Sequence, residues 1–179
     1  MKKTFTLLVY TVNDVGLLNH VTIVFTRRKI NIESLTTSES KVKGIHSYTI
    51  VVNATRESIE KVQKQLEKIV GVHKAFVYED EDIIYQEIAL YKLPISSINN
   101  GVKIEDIVRN HNARLLSVTS EFYIIEKTGH TEQTQQLMEQ LKPHGLLQFI
   151  RSGRIAVAQP MKDLIIHLAE KEAAHDFMP

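Results

Sequence analysis

Asn13-Asp14-Val15-Gly16-Leu17-Leu18, followed by Val21, Val24 and Phe25 and then by Ile30-Asn31-Ile32-Glu33-Ser34-Leu35, decides the fold of this chain. Leu17, Val21, Val24 and Phe25 fall at i, i+4, i+7 and i+8, one face of a helix. Upstream, Thr4 to Tyr10 is rich in β-forming residues and reads as a buried strand. Downstream, Ile30 to Ser38 alternates Ile30, Ile32 and Ser34 against Asn31, Glu33 and Leu35, a strand pattern. A strand feeds a polar turn, the turn opens an amphipathic helix, and the helix returns into a second strand. Such a turn lies at the edge of a sheet beside the first N–H groups of a helix. Those groups have no intrahelical acceptor and favour an anion. Gly16 lacks a Cβ, so a ligand or another backbone can come close. Asn13 offers both a carbonyl and an amide, and Asn31 lies across the same rim in this layout. Together they suit the carboxylate and amine of a small amino acid. The alternative is that Asn13 or Asp14 only caps the helix and Gly16 only relieves crowding.

The pattern continues outward. Ser40 to Gly44 is a polar turn, and His46 to Asn53 carries Tyr48, Ile50 and Val52 on one side of a third strand. Thr55 to Ile69 places Ile59, Val62, Leu66 and Ile69 at helical spacing, with Gly71 as the expected C-cap. Val72 to Tyr78 is a fourth strand, which completes βαββαβ, the ferredoxin-like order. Glu79-Asp80-Glu81-Asp82 then reads as a solvated linker. The second half repeats the plan. Tyr85 to Leu93 is a strand ended by Pro94, and Lys103 to His111 a helix through Ile104, Ile107 and Val108. Ala113 to Thr119 and Phe122 to Thr128 are two strands. Thr131 to Lys142 is a helix with Thr131 as its expected cap. Leu146 to Ser152 is a strand, turned at Gly153 and continued by Ile155-Ala156-Val157. The expected class is α+β, with two consecutive ferredoxin-like βαββαβ domains. The expected boundaries are 1–79 for the first domain, 80–84 for the acidic linker and 85–160 for the second. The tail 161–179 is expected to hold a short helix through Leu164, Ile165 and Leu168, with a frayed end.

Composition narrows the function. The chain has 179 residues, 43% hydrophobic and 24% charged, enough to bury a core. A net charge of +1 gives no electrostatic case for nucleic acid. Cysteine is absent, so disulfides, thiolate metal sites and cysteine nucleophiles are excluded, and a cytoplasmic location is expected. No apolar run reaches the roughly 18–20 residues that span a bilayer, so no membrane partner is expected. The basic start Met1-Lys2-Lys3 resembles a signal peptide, but the apolar stretch stops at Thr11 without a cleavage site. Eight His are scattered with no H-x-x-x-H or H-E-x-x-H spacing, and no G-x-S-x-G or phosphate-binding glycine loop is present. Neither catalytic nor metal-ligating residues are expected. Arg27-Arg28-Lys29 suits a helix C-terminus through the macrodipole, or a partner-contact patch.

The segment from Asn13-Asp14 and Gly16-Leu17-Leu18 through Asn31-Ile32-Glu33-Ser34-Leu35-Thr36 resembles the ACT domain of the regulatory (small) subunit of acetolactate synthase, also called acetohydroxyacid synthase. Gln86-Glu87-Ile88-Ala89-Leu90-Tyr91-Lys92-Leu93 resembles the strand opening that family's C-terminal domain. Arg151-Ser152-Gly153-Arg154-Ile155-Ala156-Val157-Ala158 resembles its closing strand. Where many members have Gly two residues before this asparagine, Lys29 stands here. The resemblance implies a non-catalytic chain, with its first domain an ACT domain. Its partner would be a large subunit that holds thiamine diphosphate, Mg and FAD, with no cofactor in this chain. It implies activation of that subunit and feedback inhibition by branched-chain amino acids, valine foremost. It also implies a homodimer through the ACT domains. The effector would then meet Asn13, Asp14, Val15, Gly16, Leu17 and Leu18 of one chain and Asn31 and Ile32 of its partner. The alternative is a free-standing ACT-type sensor acting on another enzyme or on a transcription factor.

Overall fold

The computed structural model describes residues 1–99 and 104–159. The first unit contains β1 (Lys3–Val12), α1 (Leu17–Arg27), β2 (Ile32–Glu39), β3 (Ile45–Ala54), α2 (Arg56–Leu66) and β4 (Val72–Tyr78). The strands form one antiparallel sheet in the order β2-β3-β1-β4. The central strands pair Leu7 with Ile50 and Phe5 with Val52. These side chains meet Val21 and Phe25 of α1 and Ile59, Val62 and Leu66 of α2 in the core. The buried face of α1 is Leu17, Val21, Val24 and Phe25, as its 3.6-residue spacing predicts. Each such side chain removed from water stabilises the unit by about 1.5–3 kcal/mol before entropy is counted. α2 starts at Thr55, whose hydroxyl accepts from the Ser58 amide.

The second unit contains β5 (Ile83–Pro94), α3 (Ile104–Asn110), β6 (Arg114–Val118), β7 (Phe122–Gly129), α4 (Thr131–Leu141) and β8 (Gln148–Arg151). Its sheet order is β6-β7-β5-β8, the same plan as the first, and β9 (Ile155–Ala158) lies off that path. Both halves are ferredoxin-like βαββαβ units. The core is built from Ala89, Tyr91, Leu93, Tyr123, Ile125, Leu137 and Leu141. The buried Tyr91 hydroxyl donates to the Thr134 carbonyl at 2.7 Å, and burial pushes its phenol pKa up. Among the described residues no helix is long and apolar enough to cross a membrane. None of their His, Asp or Glu side chains gather as a metal-holding group either.

Several local expectations are corrected. α2 ends at Leu66, one turn before Ile69, because Lys68 and Ile69 bond back three residues, to Gln65 and Leu66. Gly71 is therefore not its C-cap. α4 is capped by His130 with Gln133, and Thr131 is its first helical residue, its hydroxyl donating to Glu87 at 2.7 Å. The acids are not a plain solvated run. Residues Asp80–Asp82 form a 3-10 turn, and Asp80 accepts from Arg154 at 2.7 Å. Arg154 is 8% exposed and also reaches the hydroxyl of the fully buried Thr6. Gln159 bonds to the carbonyls of Asp82 and Glu81. These contacts return the chain to the first unit. Its division is Met1–Ile84 with 154–159, against Tyr85–Gly153, and so differs from a boundary at 80–84 and a second domain running to 160. Ile155 to Val157 do not continue β8. Residue 103 and the expected tail helix lie outside the described residues.

Candidate effector site

The turn between β1 and α1 is held by backbone. The Val12 amide donates to the Gly71 carbonyl at 2.8 Å, and the Asn13 amide to the Gly44 carbonyl at 3.2 Å. The Asp14 carbonyl then accepts from the Leu17 amide at 3.3 Å, which closes the turn. Gly16 is the N-cap residue. It is left-handed at φ 85°, and its carbonyl accepts from the His20 amide at 3.2 Å. That φ favours glycine, since the Cβ of an L residue there crowds its own carbonyl.

No side chain caps α1. The expectation that Asn13 or Asp14 does so is therefore corrected: the N-cap position falls on Gly16, which has no side chain to offer. The Leu17 amide is taken up by the Asp14 carbonyl, and the N–H groups that follow it keep their anion affinity. A Cβ built on Gly16 meets nothing within 4 Å, so the space beside Gly16 is open. Val15 is fully exposed and Leu18 is 37% exposed, while Leu17 is buried and anchors the turn to the core. Asn13 and Asp14 are exposed. The six turn residues thus form one surface with two apolar side chains, two polar ones and a bare helix end.

Asn31 and Ile32 sit at the other end of α1, which corrects the expectation that Asn31 lies across the same rim as the turn within one chain. The helix closes with Lys29 at φ 54°. Ile30 N–H reaches the Phe25 carbonyl and Lys29 N–H the Thr26 carbonyl, both at 3.0 Å. That is a Schellman closure with Lys29 where glycine is usual. Asn31 is exposed, and its amide donates to Glu33 at 3.3 Å. Ile32 begins β2, an edge strand, opposite Val52.

Sequence reading missed Gly71 as a positioning residue. It sits at φ 92°, and a Cβ there would lie 3.0 Å from Val12 Cγ2 and 3.1 Å from Leu17 Cδ2. Its carbonyl and its bareness together let the β4 approach press against the turn. The signal was present, a glycine between a helix and a strand, but it reads equally as a helix cap.

A sheet with two helices on one face and an open helix end at its rim is the plan of an ACT-type domain, here followed by a second unit of the same plan. Residues 7–74 match the family described as AHAS small subunit-like ACT domain, and residues 86–160 the family described as small subunit of acetolactate synthase. The acetolactate synthase small subunit of Bacillus subtilis is 33% identical over 160 residues, 89% of this chain and 91% of its own length. That of Mycolicibacterium smegmatis is 32% identical over 156 residues, 87% and 91% of the two chains. The crystal structure of the acetolactate synthase small subunit from Thermotoga maritima superposes with a TM-score of 0.80 at 25% identity, covering 89% of this chain and 99% of that one. The chain belongs to the acetolactate synthase small-subunit family, the regulatory and not the catalytic part of that enzyme. Membership implies association with a catalytic large subunit.

Proposed function

We propose that this chain binds a branched-chain amino acid, valine foremost, and passes its occupancy to the large subunit as feedback inhibition. In the unliganded state it raises that subunit's activity. The ligand carboxylate meets the first N–H groups of α1, and its side chain meets Val15 and Leu18. Asn13, Asp14, Gly16 and Leu17 of one protomer complete this half of the site, and Asn31 and Ile32 come from its partner. In this reading the chain carries no cofactor. Thiamine diphosphate, Mg and FAD belong to the large subunit, as the family resemblance implies. The observation that carries the proposal is the helix end at Gly16, which no side chain caps, with open space beside that glycine. The match over residues 86–160 supports a small subunit over a free-standing sensor.

The test is reconstitution. The pure chain, given pyruvate, thiamine diphosphate and Mg, forms no acetolactate. Added to its large subunit it raises the rate, and valine lowers the rate again. Turnover by the pure chain, or an unchanged rate on mixing, contradicts the proposal.

A further inference from the structure

We propose that the groove between α1 and α2 docks an acidic segment of the large subunit that also carries an apolar side chain. This rests on the reading that the chain regulates such a subunit. The groove has a volume of about 360 Å³ and is floored by Ile23, Val24 and Ile69. Arg27, Lys68 and His20 form its rim. No carboxylate lines it. The acids of α2 and the turn after it are engaged elsewhere: Glu57 with Lys61, Glu60 with Arg56, and Glu67 with Lys74. Among the described residues the side chains of Arg27 and Lys68 have no ion-pair partner.

The basic triplet divides its work accordingly. Arg28 bonds to Gln65 at 2.6 Å, and Lys29 makes the left-handed turn that closes α1. Of the three, Arg27 alone lines the groove. A cationic rim over an aliphatic floor is complemented by carboxylates flanking an aliphatic or aromatic side chain. A second copy of this chain does not supply that. Across a two-fold through the groove Arg27 and Lys68 would face their own copies, and like charges repel.

The groove also lies on the element that the effector turn opens. His20, Ile23, Val24 and Arg27 are i, i+3, i+4 and i+7 on one face of α1, and Gly16 caps the other end of that helix. The helix is about 16 Å long at 1.5 Å per residue. Occupancy at its N-terminus and docking along its flank therefore act on one rigid body.

The experiment compares three full-length chains for binding to the large subunit and for activation of it. They are the wild type, Arg27→Glu/Lys68→Glu and Arg27→Lys/Lys68→Arg. Circular dichroism and light scattering check that fold and oligomeric state are kept. The charge reversal weakens association at least about tenfold, and the conservative pair stays close to wild type. Wild-type affinity falls between about 50 and about 300 mM salt as exposed charges are screened. A folded double reversal that binds and activates as wild type overturns the docking proposal and leaves the regulatory reading standing. A wild-type chain that neither binds nor activates overturns the regulatory reading itself.

Discussion

Gly16 carries two separable roles at one position, a backbone conformation and an empty space. Its φ of 85° excludes most L side chains at a cost of about 1–2 kcal/mol, and its missing Cβ leaves the helix end open. Gly16→Asp therefore strains the turn a little and sets a carboxylate where the effector carboxylate would lie. Gly16→Asn pays a similar backbone cost without the charge, so it separates strain from repulsion. Glu126 in the second unit gives a prediction about pH. The hydrogen bond from Arg114, then that from Thr128, hold its carboxyl below the usual carboxylate range. The folded state thus gives up the proton more readily than the unfolded chain, whose glutamates titrate near about pH 4.3. This stabilisation is complete above that pH and is lost as pH falls through the depressed folded value. Urea midpoints measured from about pH 6 down to about pH 2.5 should fall less steeply for Glu126→Gln than for wild type. Equal slopes would show that Arg114 contributes nothing there.

The closure of α1 depends on a residue poorly suited to it. Lys29 occupies the left-handed position of a Schellman motif, where glycine avoids about 1–2 kcal/mol of strain but loses about 0.5–1 kcal/mol of backbone entropy. Lys29→Gly should therefore stabilise the chain by up to about 1 kcal/mol, raising Tm by about 2–4 °C in a thermal melt. A lowered Tm would mean that the Lys29 side chain carries a contact of its own. Arg154 starts the return to the first unit by bonding to Asp80 and the buried Thr6. Arg154→Ala leaves Thr6 without that donor and should cost about 1–3 kcal/mol in urea unfolding, with Arg154→Lys recovering part of it. No loss would assign the return to β9 and Gln159 alone. These elements divide what sequence can disclose. α1 and β1 to β4 were legible because their apolar periods are long and clean. The α1 cap was not, because Asn13-Asp14-Val15-Gly16 offers two polar caps and one glycine at adjacent positions, and only the backbone path chooses. The return of 154–159 was illegible for another reason. Arg154, Asp80 and Thr6 are far apart in sequence, and no local pattern announces that they meet.

Across the whole molecule, the first sheet ends at β2 on one side and at β4 on the other. β2, Ile-Glu-Ser-Leu-Thr-Thr-Ser-Glu, has no Lys and no Pro; beyond its irregularity between Ile32 and Ser34, the run from Leu35 to Ser38 carries no charge to discourage pairing with another strand. In the proposed dimer, two-fold pairing of such edges would cover them and bring Asn31 and Ile32 of one protomer toward the turn of the next. Light scattering should give twice the mass of one chain at micromolar concentration, and a stable monomer would remove the shared site. The central claim, that the turn at Gly16 binds a branched-chain amino acid, is tested most directly by isothermal titration of the pure chain. Valine, leucine and isoleucine are each titrated into wild type, Gly16→Asp and Gly16→Asn. The account predicts saturable valine binding at one molecule per chain, as a two-fold interface with two equivalent sites requires. Gly16→Asp should weaken it about ten- to a hundredfold, the value of one charge-assisted hydrogen bond at about 1.5–3 kcal/mol, and Gly16→Asn should weaken it much less. No binding of any of the three amino acids, or wild-type affinity in a folded Gly16→Asp chain, would contradict it.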